Sequence, residues 1–585
     1  MDTGVRKRRL NANDGRNDFK MLLHQPLLLA TILLIFALLL LFIIIPILNI
    51  LKLSFAADGR LDLTTCMKVL RDKGYQRTFW NSMELGAIVA VLSTAIGYAF
   101  AFAITRTEMR CKAFFRGMAT LPIISPPFII CLSLIFLFGR QGLITHGLLH
   151  LNNFDVYGLK SLVLVQVISS FPVAFLTLTG ILESIDTSVE DAAYNMGASR
   201  WHIFRTITLP LSLPGIASAL LLVFIQSLED FSNPAVIAGS FSTLSVEAYQ
   251  LITGMYDTAG GAMLSLVLLL PTLCAFLLQR FWLKGKSFVT VTGKPTQKRR
   301  QLYERHIIWP LFTFCMLVTL VIVVFYGTVL VGAFVKTWGV DYSFTLDHFA
   351  YVWDIGRRAL NSTILLAAIS APLGGLLGMV IAYLTVRKRF FGKRVMEISS
   401  LLTFAIPGTV LGIAYITTFN TKPMLLTGTA TILVAAFVFR NMPVAIESGS
   451  ATLMQIDRSV EEASAILGAD SGQTFFRVTL PLLRQAFFSG LVFAFVRSVT
   501  AVSTIIFLVS PQWDLATRKV FGLFENSKYS DAAAYVLIMI AVILVAIGII
   551  TVLVSWLLAP RAKRQRQGGT SIFRRHQHEL TNERA

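Results

Sequence analysis

The chain has 585 residues, of which 55% are hydrophobic and only 14% charged. Soluble domains carry about 25% charged residues, so a string of roughly four water-soluble domains would lack the polar surface to cover its cores. The net charge of +20 is that of a nucleic-acid binder only if it forms one basic face; here Lys and Arg cluster between apolar runs, the pattern of the positive-inside rule. The expected partner is therefore a lipid bilayer, with no nucleic acid.

The run from Pro26 to Ile50 is long enough to cross a hydrocarbon core of roughly 30 Å, and no small-residue cleavage site follows it, so it reads as a retained helix. Windows of spanning length recur near 82–105, 118–138, 161–181, 211–236 and 261–283. A second set lies near 307–334, 360–386, 398–418, 428–449, 486–509 and 533–559, making twelve expected spans in an all-α polytopic membrane protein. The organisation that follows is a cytoplasmic N-terminal tail (1–25), a first six-span domain (26–283), a cytoplasmic linker (284–306), a second six-span domain (307–559) and a basic cytoplasmic tail (560–585). Arg6 to Arg9 at the start, Arg106 to Arg116 after span two, Arg387 to Arg394 after span eight and Arg561 to Arg566 after span twelve place both termini in the cytoplasm. The loop from Lys52 to Arg77 is a mild exception, its basic residues diluted by Asp58, Asp62 and Asp72.

Cys66, Cys111, Cys131, Cys274 and Cys315 show no CxxC or zinc-like spacing, and His576 and His578 read as solvated tail residues, so no metal site is expected. The segment Ile185–Pro210 aligns without a gap on Ile456–Pro481 at a constant offset of 271, with 12 of 26 positions identical. This marks a duplicated unit, two halves about a pseudo-twofold axis. In each copy Ser188…Asp191 or Ser459…Glu462 suggests a capping box, Gly197 or Gly468 ends the helix, and Leu209-Pro210 or Leu480-Pro481 marks the next boundary. Two small-residue knobs on the cytoplasmic face suit a partner that is itself a dimer.

The pattern EAA, three residues, G, then a dozen residues to LP resembles the coupling loop of type I ATP-binding cassette importer permeases. The resemblance implies that Glu190, Asp191, Ala192, Ala193 and Gly197, with Glu461, Glu462, Ala463, Ser464 and Gly468, dock on two copies of an ATP-binding subunit. It further implies a periplasmic substrate-binding protein and location in a bacterial inner membrane. ATP and Mg would be bound by the partners, with no cofactor in this chain, since Gly285-Lys286-Ser287 has Arg280 where a phosphate-cradling loop needs its upstream glycine. Asp191 and Ser464 are conservative departures from the pattern.

The offset of 271 sets Gln226 against Arg497 and Glu229 against Thr500, and Asp230 against Ala501. Ionisable residues within a membrane usually face a pathway or one another, so Glu229 or Asp230 beside Arg497 forms either a packing ion pair or a pathway or gate. Pro122, Pro126, Pro127 and Pro407 are expected to break spans three and nine. The phrases DFSNP at 230–234 and AVSTIIFLVSP at 501–511 are similar to fused permeases of the ferric-iron type. That resemblance implies iron(III) as cargo, with aminoethylphosphonate, sugar phosphates, thiamine or polyamines as alternatives. An ion-driven carrier has no use for two docking knobs, and a membrane enzyme would need a DDxxD, HExxH or similar set that the chain lacks, so no catalytic residue is expected.

Overall fold

The computed structural model describes residues 26–57, 60–61, 63–151, 154–283 and 302–558. The basic runs at both termini, the Gly285-Lys286-Ser287 segment, His576 and His578 lie outside them. Helix dominates because a spanning segment finds no water in the bilayer core and must satisfy its backbone internally. The strands among the described residues form two short antiparallel hairpins, Ala56–Ala57 with Arg60–Leu61 and Val335–Thr337 with Asp341–Phe344.

All twelve expected windows fall on helices, ten of them on helices long and apolar enough to cross a bilayer. Spans one to six are Pro26–Phe55, Lys73–Arg106, Phe128–Leu148, Leu159–Ser184, Arg200–Glu229 and Thr258–Phe281. Spans seven, eight, ten and twelve are Arg305–Gly332, Asp347–Arg387, Ala430–Gln455 and Tyr529–Ser555. Span nine is two shorter helices, Lys393–Leu402 and Gly408–Thr418, interrupted before Pro407; span eleven bends by 75° between Gly472–Leu482 and Arg484–Val499. Span three is likewise broken at Ser125–Pro127 from a leading helix, Lys112–Ile124, because Pro126 and Pro127 remove donors and crowd the preceding turn; Pro122, expected to break the span as well, lies inside that helix without interrupting it.

Each half is built on one close crossing. Span two packs on span four where a Cβ on Gly97 would sit 2.8 Å from Ala174 Cβ, and span eight packs on span ten where one on Gly378 would sit 2.5 Å from Ala445 Cβ. Without a hydrophobic drive between helices in lipid, such backbone approach and its van der Waals contact hold the pair. The halves are then clasped by exchange of their first spans. Span one lies on the second half, where Tyr415 donates its hydroxyl to the Phe42 carbonyl at 2.8 Å and Phe42 stacks on Phe439 at 5.0 Å. Span seven lies on the first half, where Tyr326 donates to Ser125 Oγ at 2.7 Å, and Trp338, just beyond it, stacks on Phe136 at 4.5 Å. From Ala541 the described chain, to Leu558, forms a unit of its own and presents Leu544, Val545, Ile549, Val552 and Leu553 as exposed apolar side chains.

Replacing Gly97 or Gly378 by Val forces the crossing apart and is expected to destabilise the protein by about 1–3 kcal/mol, the usual cost of overpacking. Thermal unfolding of the detergent-purified chain checks it, with Gly117→Val, a position with open space around its Cα, as the control that leaves the midpoint in place.

Candidate functional site

The repeated segments form matching loop helices, Ser188–Asn195 and Ser459–Ile466. Their starts differ from the expected capping box. The caps are Asp186 and Asp457, whose side chains accept the Ser188 and Ser459 amide hydrogens at 2.9 Å in each copy. Those hydrogen bonds hold both carboxyls below the usual carboxylate range. Thr187 already takes helical backbone angles, φ −74° and ψ −13°, so the cap stands at Asp186, whose side chain reaches an orphan donor that Ser188, already inside the helix, cannot reach.

Both helices end as expected. Gly197 and Gly468 take φ of +89° and +86°, the left-handed conformation that glycine adopts without strain. Ala198 N donates to Ala193 O at 3.1 Å, and Ala469 N to Ser464 O at 3.1 Å, the long closing bond of a Schellman motif. A Cβ on either glycine would meet nothing within 4 Å, so both turns stand clear of the rest of the chain. Around them Met196 is 82% exposed, Ile466 85% and Leu467 87%, apolar surface of the kind that marks a partner's seat. The Leu209-Pro210 boundary is milder than expected: the helix runs through it, passing from π turns at Phe204–Thr208 to α turns. In the second copy the bend falls just past Leu480-Pro481.

What fixes these helices to the bundle is an arginine in each half. Arg106, at the end of span two, donates to Glu190 at 3.4 Å and to the Leu182 carbonyl at 3.1 Å; Thr208 donates to the other Glu190 oxygen at 2.8 Å. Arg387, at the end of span eight, pairs with Glu461 at 3.0 Å and donates to the carbonyls of Leu453 and Ile456 at 2.9 and 2.7 Å. Their side chains are only 6% and 5% exposed. One guanidinium thus caps the last turn of span four or ten and holds the first turn of the loop helix, where a carboxylate also suits the helix dipole. Positive-inside reasoning read both arginines as loose loop charge; they are buried clamps. Glu190 and Glu461 accordingly point inward, whereas Ala192, Glu462 and Ala463 are exposed, Asp191 and Ser464 are half-buried and Ala193 is buried. Ser464 bonds Thr474 at 3.0 Å. Behind the first loop helix lies a cavity of about 490 Å³ lined by Tyr98, Phe102, Trp201 and Phe204. Arg200 there pairs with Glu304 at 2.7 Å and lies 3.8 Å over Tyr194.

The transmembrane charges are arranged differently from expectation. Glu229 pairs with Arg440 of span ten at 2.6 Å, across the two halves, and not with Arg497. Arg440 also donates to the carbonyls of Ile406 and Thr403, groups that the break in span nine leaves without helical partners. Asp230 does not reach Arg497 either. It accepts from Gln166 at 2.9 Å and from Asn233 Nδ2 at 2.7 Å, capping the short helix Ser232–Ile237, so DFSNP is a helix start. Thr500 donates to the Val496 carbonyl at 2.9 Å, and Gln226 is half-buried. Arg440 was missed because pairing by offset was followed only along spans five and eleven; a charge in the middle of the 428–449 window was the signal.

A model of the family "Binding-protein-dependent transport system inner membrane component" matches residues 101–285 and again 374–564. The chain is 35% identical to the ferric transport system permease protein FbpB of Actinobacillus pleuropneumoniae over 548 residues, 90% of this chain and 78% of that one. It is 35% identical to the putative ferric transport system permease protein FbpB 1 of Haemophilus influenzae over 518 residues, 87% of this chain and 81% of that one. The molybdenum transport system permease protein ModB of Escherichia coli is 29% identical over 225 residues, 37% of this chain and 95% of that shorter one.

Arg106→Gln or Arg387→Gln, which leaves a half-buried carboxylate without its cation, is expected to loosen the attached loop helix by about 3 kcal/mol. Hydrogen exchange at the amides of 188–195 or 459–466 reads it. Pairing Arg106→Gln with Glu190→Gln is expected to cost less than the sum of the single changes.

Proposed function

The chain belongs to the family of binding-protein-dependent transport system inner membrane components, and from that premise we propose that it carries iron(III), delivered by a periplasmic binding protein, into the cytoplasm. It is a multi-pass inner-membrane permease of an ATP-binding cassette importer, a member of a family of transport proteins that work with ATP-binding and substrate-binding partners. The observation that carries the cargo reading is 35% identity to a ferric transport permease across 90% of this chain, both halves included.

In this reading the two Gly-ended loop helices each seat on one copy of the ATP-binding subunit, and ATP and Mg are held by those copies. Both termini lie on the cytoplasmic side with the loops. Three features support it: the loops occur twice, their tips stand clear of the chain, and the exposed Met196, Ile466 and Leu467 supply apolar surface for a cleft. The buried arginine clamps make each loop helix move with its bundle. Closure of the ATP-binding subunits therefore reaches spans two and four, or eight and ten, as a rigid displacement. The Glu229–Arg440 pair, which joins span five of one half to span ten of the other, sits where such a displacement separates or closes the halves. Gln226, Glu229, Asp230, Arg497 and Thr500 belong to this central region; Asp230 acts there by ordering Ser232–Ile237.

Gly197→Arg together with Gly468→Arg is expected to abolish iron uptake and co-purification of the ATP-binding subunit while the chain still reaches the membrane. Gly→Ala at both sites adds left-handed strain of roughly 1–2 kcal/mol per site and no clash within the chain, so binding is expected to weaken without being lost. Normal uptake by the double Arg variant would refute the docking reading. Radiolabelled iron uptake beside uptake of the alternative cargoes tests the cargo.

A further inference from the structure

Arg497 stands apart from the other charges of the bundle. Its neighbours Ala494, Phe495, Val496, Ser498 and Val499 are buried, yet Arg497 is exposed. It lies within electrostatic reach of both Glu229 and Arg440, the residues that join the two halves, so it opens on the space between the halves and not on lipid. Among the described residues no hydrogen bond or ion pair is made to its guanidinium. Glu229 is already held by Arg440, and Asp230 is turned to Gln166 and Asn233. Two arginines therefore face one carboxylate at this crossing. Within a membrane an arginine left in that state is costly and calls for a counter-ion. The repeat sharpens the point: the equivalent of Arg497 is Gln226, of Glu229 Thr500 and of Arg440 Ser169, so the charges belong to one side of the pseudo-twofold axis only.

A guanidinium offers donors and no acceptor. Iron(III), a hard cation, needs oxygen ligands, and among the described residues no group of three His, Cys, Asp or Glu is arranged to hold a metal ion. The crossing therefore supplies the complement of a metal site: it can grip the oxygens of a ligand, not the ion. We infer that Arg497 binds an oxyanion, and that the cargo crosses as a ferric ion still carrying anionic oxygen ligands. The inference rests on the iron reading for the identity of the ion, but the anion site itself stands on Arg497.

The test uses the whole transporter, this chain with its ATP-binding and substrate-binding partners, in proteoliposomes with ATP inside. Radiolabelled iron is supplied on the binding protein with phosphate carrying a second label. Labelled phosphate is expected to enter with the iron, and Arg497→Gln to lower both by about tenfold or more, as loss of a charge-assisted contact to the moving species would. Arg497→Lys, which keeps the charge and loses the fork, is expected to fall between the two. Co-purification of the ATP-binding subunit shows that each variant has assembled; should Arg497→Gln fail to assemble, the Lys variant and the wild-type co-transport decide. Iron entering without labelled phosphate, or entering at the wild-type rate through Arg497→Gln, overturns the inference. If the wild-type complex carries no iron, the cargo reading falls. Labelled phosphate and sulfate alone then judge the site: uptake lost in Arg497→Gln upholds it, and no uptake by wild type overturns it.

Discussion

A buried arginine at the inner end of span two, repeated at the end of span eight, is the contact on which the working architecture depends. A guanidinium has five donors in a fixed plane, enough to cap the carbonyls at the end of one helix and hold the first-turn carboxylate of the next. Arg106 does this for Leu182 and Glu190, and Arg387 for Leu453, Ile456 and Glu461. Because the arginine side chains are almost wholly enclosed, the ion pairs are screened little, and loss of the cation leaves a half-buried carboxylate unpaired. An exposed loop is thereby made part of a rigid bundle, which is the condition for passing motion inward.

The two halves share this device and differ at their centre. Equivalent hydrogen bonds recur throughout: Ser82 accepts the Leu244 amide hydrogen as Thr363 accepts that of Ala516, each at 2.9 Å. Equivalent glycines carry the tight crossings at Gly97 and Gly378. The charges do not recur. Glu229 comes from one half, Arg440 and Arg497 from the other, so this crossing between the halves of a duplicated scaffold is polarised.

Much of this was legible in the chain. Apolar windows gave the ten helices long and apolar enough to cross, because a bilayer imposes one length and one composition on a helix; the windows at spans nine and eleven fell on broken or bent helices. The 26-residue repeat gave the loop helices and their glycine ends, because a left-handed turn demands a residue type that survives duplication. The capping residue was misread by two positions. Ser188 and Asp186 are both good cap formers, and which of them caps depends on where the first helical turn closes, a fact of backbone geometry. Arg106 was read as loop charge, which is not its role. Burial is a property of neighbours, and the neighbours of Arg106 are 76 and 84 residues away in sequence.

By itself, then, the sequence determined the membrane class, the duplication, the loop helices and the family resemblance, since each rests on local spacing or on composition. Only the tertiary structure decided the partners of the charges. Glu229 lies 211 residues from Arg440, and nothing in either neighbourhood names the other. The choice of Arg440 over Arg497 follows from the break in span nine, whose free carbonyls draw Arg440 inward to where Glu229 stands and leave Arg497 facing the space between the halves.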